Sequence, residues 1–190
     1  MILVLGVAAV FPVAFYYRLR SQATGEKLDR RQEGWFILLT LRPIGLVKIL
    51  GVIAWVIRPE WMAWSSVELP LAARWTGVGF GVVSGACLIW VFHSLGANLT
   101  DTVVTRKHHT LVTTGPYRWV RHPFYLTFVM VVIADSSIAA NWFFALTGVL
   151  CLALIVLRTA KEEENLIARF GDDYREYMRT TGRFFPRLGG

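Results

Sequence analysis

Charge is the first thing this chain is short of. Only 17% of its 190 residues are charged, against about 25% in an ordinary soluble domain, while 55% are hydrophobic. That balance excludes a solvated globular domain and points to the membrane. Cysteine is almost missing too. Cys87 and Cys151 both lie inside apolar runs, which argues against a disulfide framework or a thiolate metal site and fits small buried side chains. There is no internal repeat and no low-complexity tract, and the length suits a single domain over residues 1–190. No basic stretch and no small-residue cleavage site precede the first charges, so the N-terminus is expected to be a retained membrane helix, not a signal peptide. The formal charge of +7 is not a nucleic-acid signal, because the basic residues fall between apolar runs. There they read as topology determinants and contacts with membrane lipids.

What is present is a succession of apolar segments. Met1 to Tyr17 is just long enough to span, with Pro12 as a tolerable kink. Arg18 to Glu33 carries five basic and three acidic residues and reads as a loop or surface helix at the headgroups. Gly34 to Trp64 is apolar but holds Arg42, Pro43 and Lys48. An interfacial start and a helix from about Pro43 to Ile57 would let Arg42 and Lys48 snorkel or meet a lipid phosphate. Trp75 to Leu95 predicts a third span in which Gly77, Gly79, Gly81, Ser84, Gly85 and Ala86 allow close helix approach. Gly96 to Arg121 reads as a polar loop. Its His108-His109 pair has no carboxylate or cysteine at ligand spacing, so no metal is expected.

His122 to Ala134 and Asn141 to Leu157, joined at Asp135-Ser136-Ser137, predict a helical hairpin. From Arg158 the tail holds seven basic and six acidic residues. In it Leu157, Ile167, Phe170, Tyr174 and Tyr177 form a helical stripe interrupted near Gly171. The expected fold is therefore all-α: an integral membrane bundle of about five membrane helices, the last two forming a hairpin, with a cytoplasmic C-terminal helical tail. The segments at 18–33, 96–121 and the tail hold sixteen of the twenty basic residues. The positive-inside rule then puts the N-terminus outside and the polar loop and tail in the cytoplasm.

Polar chemistry concentrates at two places on that inner side. Between His108 and Tyr125 lie a Gly-Pro turn, Arg118, Arg121 and His122, and the two tyrosines Tyr117 and Tyr125. Pro123 starts a helix directly after His122 and fixes where Arg121 and His122 point. In the tail, Glu162 and Glu163 stand just beyond the last span. Such residues are either headgroup-level charges paired with each other or a site; composition alone does not choose.

The motifs do. Leu111 to Tyr125 reads L-V-T-T-G-P-Y-R-x-V-R-H-P-x-Y. It is followed by E-E-x-x-L-x-x-x-F-G-x-x-Y-x-x-Y from Glu162 to Tyr177, and then by Thr181-Gly182-Arg183-Phe184-Phe185-Pro186. This order resembles the isoprenylcysteine carboxyl methyltransferase family and its phospholipid methyltransferase relatives over roughly Leu95 to Leu188. Thr127 departs from it, standing where the family often has glycine. The resemblance implies residues 96–190 as a catalytic core behind three N-terminal segments, with S-adenosylmethionine as cofactor and a lipophilic acceptor entering from the bilayer. By matching positions, Gly115, Pro116, Tyr117, His122, Pro123 and Tyr125 would line the cofactor pocket. Glu162 and Glu163 would hold the cofactor's polar groups, and Arg121 and Arg183 would face the acceptor, making Arg121, Glu163 and Arg183 the catalytic set. Aromatic faces and carboxylates suit a sulfonium. A carboxylate acceptor needs only a cation to orient it, whereas a phospholipid amine or a small thiol needs a base, His122 or a glutamate. A non-catalytic lipid-binding protein of the same fold is the rival reading. It would be expected to have lost Arg121-His122-Pro123 or the acidic pair, and both are present.

Overall fold

The computed structural model describes Tyr16 and residues 35–96 and 110–187. Apart from Tyr16, the expected first span with Pro12, the 18–33 segment and the Arg106–His109 stretch lie outside them. The described residues form five α-helices: α1 (Trp35–Ile57), α2 (Leu71–Leu95), α3 (Pro123–Ala139), α4 (Trp142–Phe170) and α5 (Asp172–Thr180). Helices α1, α2 and α4 are long and apolar enough to cross a membrane, while α3 is a shorter apolar helix. Side by side the order is α1, α4, α3, α2.

Helix α1 begins eight residues earlier than the expected Pro43, and Pro43 lies inside it. Apart from the exposed Arg42, its outer surface is largely apolar, with Leu39, Leu46, Ile49, Leu50 and Ile53 exposed, the pattern of a helix whose solvent is lipid. Lipid gives apolar helices no hydrophobic reason to associate, so small residues and polar contacts decide. The small residues of α2 do what their spacing suggests. A Cβ at Gly77 would lie 2.7 Å from Ser137 Cβ, and one at Gly81 3.7 Å from Ala134 Cβ. Ser84 and Gly85 are buried on the same side, whereas Gly79 meets nothing. On α4, Gly148 accepts Val132 of α3, whose methyls a Cβ would approach to 2.6 Å. On α1, Gly51 accepts the Phe143 ring.

Two expectations are corrected here. Lys48 does not snorkel to a headgroup. It is 8% exposed, and its Nζ donates to Asp135 Oδ2 at 2.6 Å and to the Phe144 carbonyl at 3.1 Å, over the Phe144 ring. Asp135-Ser136-Ser137, in turn, is no joint but lies within α3. The lysine from α1 compensates the aspartate's charge through Oδ2, and Ser136 turns its hydroxyl onto the Val132 carbonyl of its own helix, so the polar stretch is tolerated in the helix.

The turn comes later, at Ala140 and Asn141. Ala140 caps α3 at φ 49°, and the Arg74 guanidinium donates twice to the Ile138 carbonyl, at 3.1 and 2.9 Å. Asn141 caps α4 by accepting from Phe143 N at 3.1 Å, while its amide donates to Ser65 Oγ at 2.8 Å. That ties the hairpin turn to the 3-10 turn at Pro59–Ser65.

Helix α4 does not stop at Leu157. Its 29 residues are about 43 Å long at 1.5 Å per residue, longer than the roughly 30 Å of bilayer hydrocarbon. The charged stretch from Arg158 is therefore a rigid continuation of the last span. It ends at Gly171, φ 57°, where the chain reverses into α5, with Asp172 and Asp173 in its first turn and Arg179 in its last, as the helix dipole favours.

Lys48→Met should destabilise the protein in detergent by about 3–5 kcal/mol, because it leaves a buried carboxylate uncompensated. The double change Lys48→Met with Asp135→Leu should recover most of that loss. Thermal unfolding of both variants checks this, and a double variant no better than the single one would show that the pair is not the pin.

Candidate functional site

At the end of the bundle opposite the hairpin turn, the two motifs meet. The Gly115–Arg118 3-10 turn seats itself against α2. Gly115 has φ 62°, and a Cβ there would run into the Ser94 side chain, with the Trp90 indole at 3.4 Å, so glycine alone fits on both counts. Tyr117 is buried against Val91 and Phe92, and its carbonyl accepts from the Tyr177 hydroxyl at 2.5 Å. Burial, with the charge of Glu162 second, pushes the Tyr117 phenol well above its ordinary range, so it stays protonated.

From Val120 to His122 the chain pairs in parallel with the segment after α5. Val120 bridges Gly182, Arg121 N donates to the Gly182 carbonyl at 2.8 Å, and His122 N donates to the Arg183 carbonyl at 3.1 Å. A Cβ on Gly182 would overlap the Phe185 carbonyl, so the strap of residues 181–187 depends on that glycine. Pro123 then opens α3, its ring suited to a position whose N–H needs no helical partner. Thr127, the departure from the motif, buries its hydroxyl on the Pro123 carbonyl at 3.0 Å.

Everything converges on Glu163, 3% exposed near the end of α4. Its Oε1 accepts from Arg121 Nε and Nη2 at 3.1 and 3.0 Å and lies 3.3 Å from His122 Nε2. Its Oε2 pairs with Arg183 from the strap. The Arg121 Nη1 donates to the Met178 and Thr181 carbonyls. The Arg121 side chain is 8% exposed and is spent on ties between Glu163 and the tail. Arg183 is 43% exposed, and its hydrogen bond to Glu163 raises it further above its ordinary value. Beside them Tyr174 is 1% exposed, its phenol without a hydrogen-bond partner among the described residues and pushed up mainly by burial.

The second carboxylate sits differently. Glu162 is half-buried, and its Oε2 is 3.5 Å from the Tyr125 hydroxyl. Tyr125, His122 and Phe184 of the strap form a three-ring group, with centroids 5.3 Å apart for His122–Tyr125, 5.1 Å for Tyr125–Phe184 and 6.0 Å for His122–Phe184. Of the residues singled out in the sequence, Arg121, His122, Tyr125, Glu162, Glu163 and Arg183 are brought together here. Gly115, Pro116 and Tyr117 form the turn that holds them against α2 and α5, and Pro123 sets the helix start. Sequence reasoning missed Thr159, fully buried with its hydroxyl 2.9 Å from Tyr125. The available signal was its position one turn before the acidic pair on the same helix.

Fold and site together define a helical integral membrane protein with a charged, aromatic-lined site where its membrane helices end. The sequence model of the isoprenylcysteine carboxyl methyltransferase family matches residues 77–168, and over that segment the chain is similar to this family. Among curated relatives, it is 34% identical over 117 residues to the protein-S-isoprenylcysteine O-methyltransferase of Rattus norvegicus, covering 57% of this chain and 40% of that one. It is 36% identical over 85 residues to a cobalt-zinc-cadmium resistance protein of Cupriavidus metallidurans, covering 44% and 38%. It is 37% identical over 70 residues to the methanethiol S-methyltransferase of Mycobacterium tuberculosis, covering 37% and 28%. The chain thus spans two fifths or less of the length of these relatives.

Gly182→Ala should displace the strap while leaving the helices in place. Hydrogen exchange at the Arg121 and His122 amides should then accelerate with little change in the melting temperature. Unchanged exchange at those two amides would mean that the pairing does not need this glycine.

Proposed function

We propose that this chain is a membrane-embedded methyltransferase that uses S-adenosylmethionine on a lipophilic acceptor, with carboxyl-O-methylation of an isoprenylcysteine-like compound as the leading reaction. The observation that carries this is the division between two adjacent glutamates. Glu163 is neutralised within the fold, whereas Glu162 keeps a half-exposed charge beside the His122–Tyr125–Phe184 rings. Aromatic faces with a carboxylate fit a sulfonium and an ammonium, and a half-exposed guanidinium fits a carboxylate, so the donor set suits the cofactor. When bound, S-adenosylmethionine supplies an electrophilic methyl group.

Glu162 and the three rings would hold the cofactor's cationic groups, and Arg183 would orient an acceptor carboxylate. Arg121 and Glu163 act as the frame behind them. The protein's contribution is largely alignment, which is worth about 7–11 kcal/mol when two reactants are well oriented. A carboxylate acceptor fits because it arrives deprotonated. It asks no proton transfer of His122, whose Nε2 is turned to Glu163. A thiol acceptor is the second reading, favoured by the methanethiol methyltransferase relative; Glu162 would then be the base. The distribution of basic residues supports an active site facing the cytoplasm.

Binding of S-adenosylhomocysteine to detergent-purified protein, followed by calorimetry, tests this. Wild type should bind. Glu162→Gln should weaken binding about ten-fold or more, the scale of a lost hydrogen bond to a charged group. Glu163→Gln should instead lower the melting temperature, because two arginines lose their shared partner. A folded wild type that does not bind would leave a non-catalytic lipid-binding protein of this fold.

A further inference from the structure

Tyr125 sits at the centre of the aromatic group, yet nothing in its ring contacts fixes where its hydroxyl points. The ring lies edge-on to His122 at 79° and tilted to Phe184 at 49°, and neither contact touches the phenol oxygen. That oxygen is reached from α4 by Thr159, whose Oγ1 is 2.9 Å away. The alternatives are longer: Thr159 Oγ1 to the Ile155 carbonyl at 3.2 Å, and Tyr125 Oη to the Ile155 carbonyl at 3.3 Å and to Glu162 Oε2 at 3.5 Å. Thr159 is 0% exposed and Tyr125 6%, so neighbouring water does not substitute for either partner.

We propose that Thr159 is a positioning residue of the cofactor site, holding the Tyr125 ring against His122 and Phe184 through its hydroxyl. This rests on the function proposed above. A threonine proton directed at the phenol oxygen leaves the phenol's own proton for the Ile155 carbonyl or Glu162, both on α4, so the oxygen is held against that helix and the ring keeps its tilt. The placement makes this possible. Thr159 is three and four residues before Glu162 and Glu163, so its side chain neighbours both carboxylates along α4. The helix that brings the carboxylates to α3 therefore brings the hydroxyl with them. Phe184 leans on the ring so held, and the strap that carries Phe184 also carries Arg183 to Glu163. Thr159 thus acts on the cofactor pocket through Tyr125, without touching the reacting atoms.

A double-mutant cycle with S-adenosylhomocysteine as the probe, read by calorimetry on the full chain, tests the inference. Thr159→Val keeps the branched shape and removes the donor. It should weaken binding roughly three- to ten-fold, the scale of one lost hydrogen bond, with the melting temperature near that of wild type. Thr159→Ser should retain wild-type affinity. Adding Thr159→Val to Tyr125→Phe should cost nothing further, since the oxygen it acts on is gone. Should the valine variant not fold, Thr159→Ala carries the same cycle. Wild-type affinity in Thr159→Val, or an equal loss in the Tyr125→Phe background, would overturn the role of Thr159 while leaving the methyltransferase reading standing. A folded wild type that does not bind would remove that reading and this inference with it.

Discussion

In lipid, burying one apolar helix against another gains little, and a charged group without a partner is costly. This chain is organised by how it meets that constraint twice, once at each end of the bundle. At the hairpin end Asp135 is matched by Lys48, and the match attaches α1 to α3 and to the start of α4. At the other end Glu163 is matched by Arg121 and Arg183, and the match closes the tail over the start of α3. Between the two, the helices are in contact chiefly where glycine lets them approach.

The second pairing builds the site as well as the end of the bundle. Because Arg121 binds Glu163 with two nitrogens and the tail carbonyls with the third, the strap, α3 and α4 are tied through one guanidinium. Arg183 completes the carboxylate from a more exposed position. Two arginines that look equivalent in sequence thereby take different places: one is a buried tie, and the other stands at the surface of the site. The two adjacent glutamates divide in the same way, since a helix turns the side chains of neighbouring positions about 100° apart.

The strap lies beyond the segment that matches the family, which ends at residue 168. The matched part holds the Gly-Pro turn, the Arg-His-Pro helix start, Thr159 and the acidic pair, which form the frame of the site. The strap adds Arg183 and Phe184, the residues that would meet whatever enters.

Sequence alone determined the helical membrane character, the hairpin and the set of polar residues that gather at one end. Those follow from long apolar runs, small-residue spacing and motif order, all of which are local. It also located the helix start at Pro123 and the break at Gly171, because proline and a left-handed glycine punctuate the chain wherever they occur. Tertiary structure alone decided which charges meet. Lys48 looks like a snorkelling lysine until a helix 87 residues away supplies Asp135. The serines after Asp135 look like a turn until that pairing lets the helix run through them. Arg121 and Arg183 acquire different roles only when the strap pairs with residues 120–122, and Thr159 matters only because α4 continues as one rigid rod past the apolar run. A partner distant in sequence leaves no periodicity to read, so the choice of partner belongs to the fold.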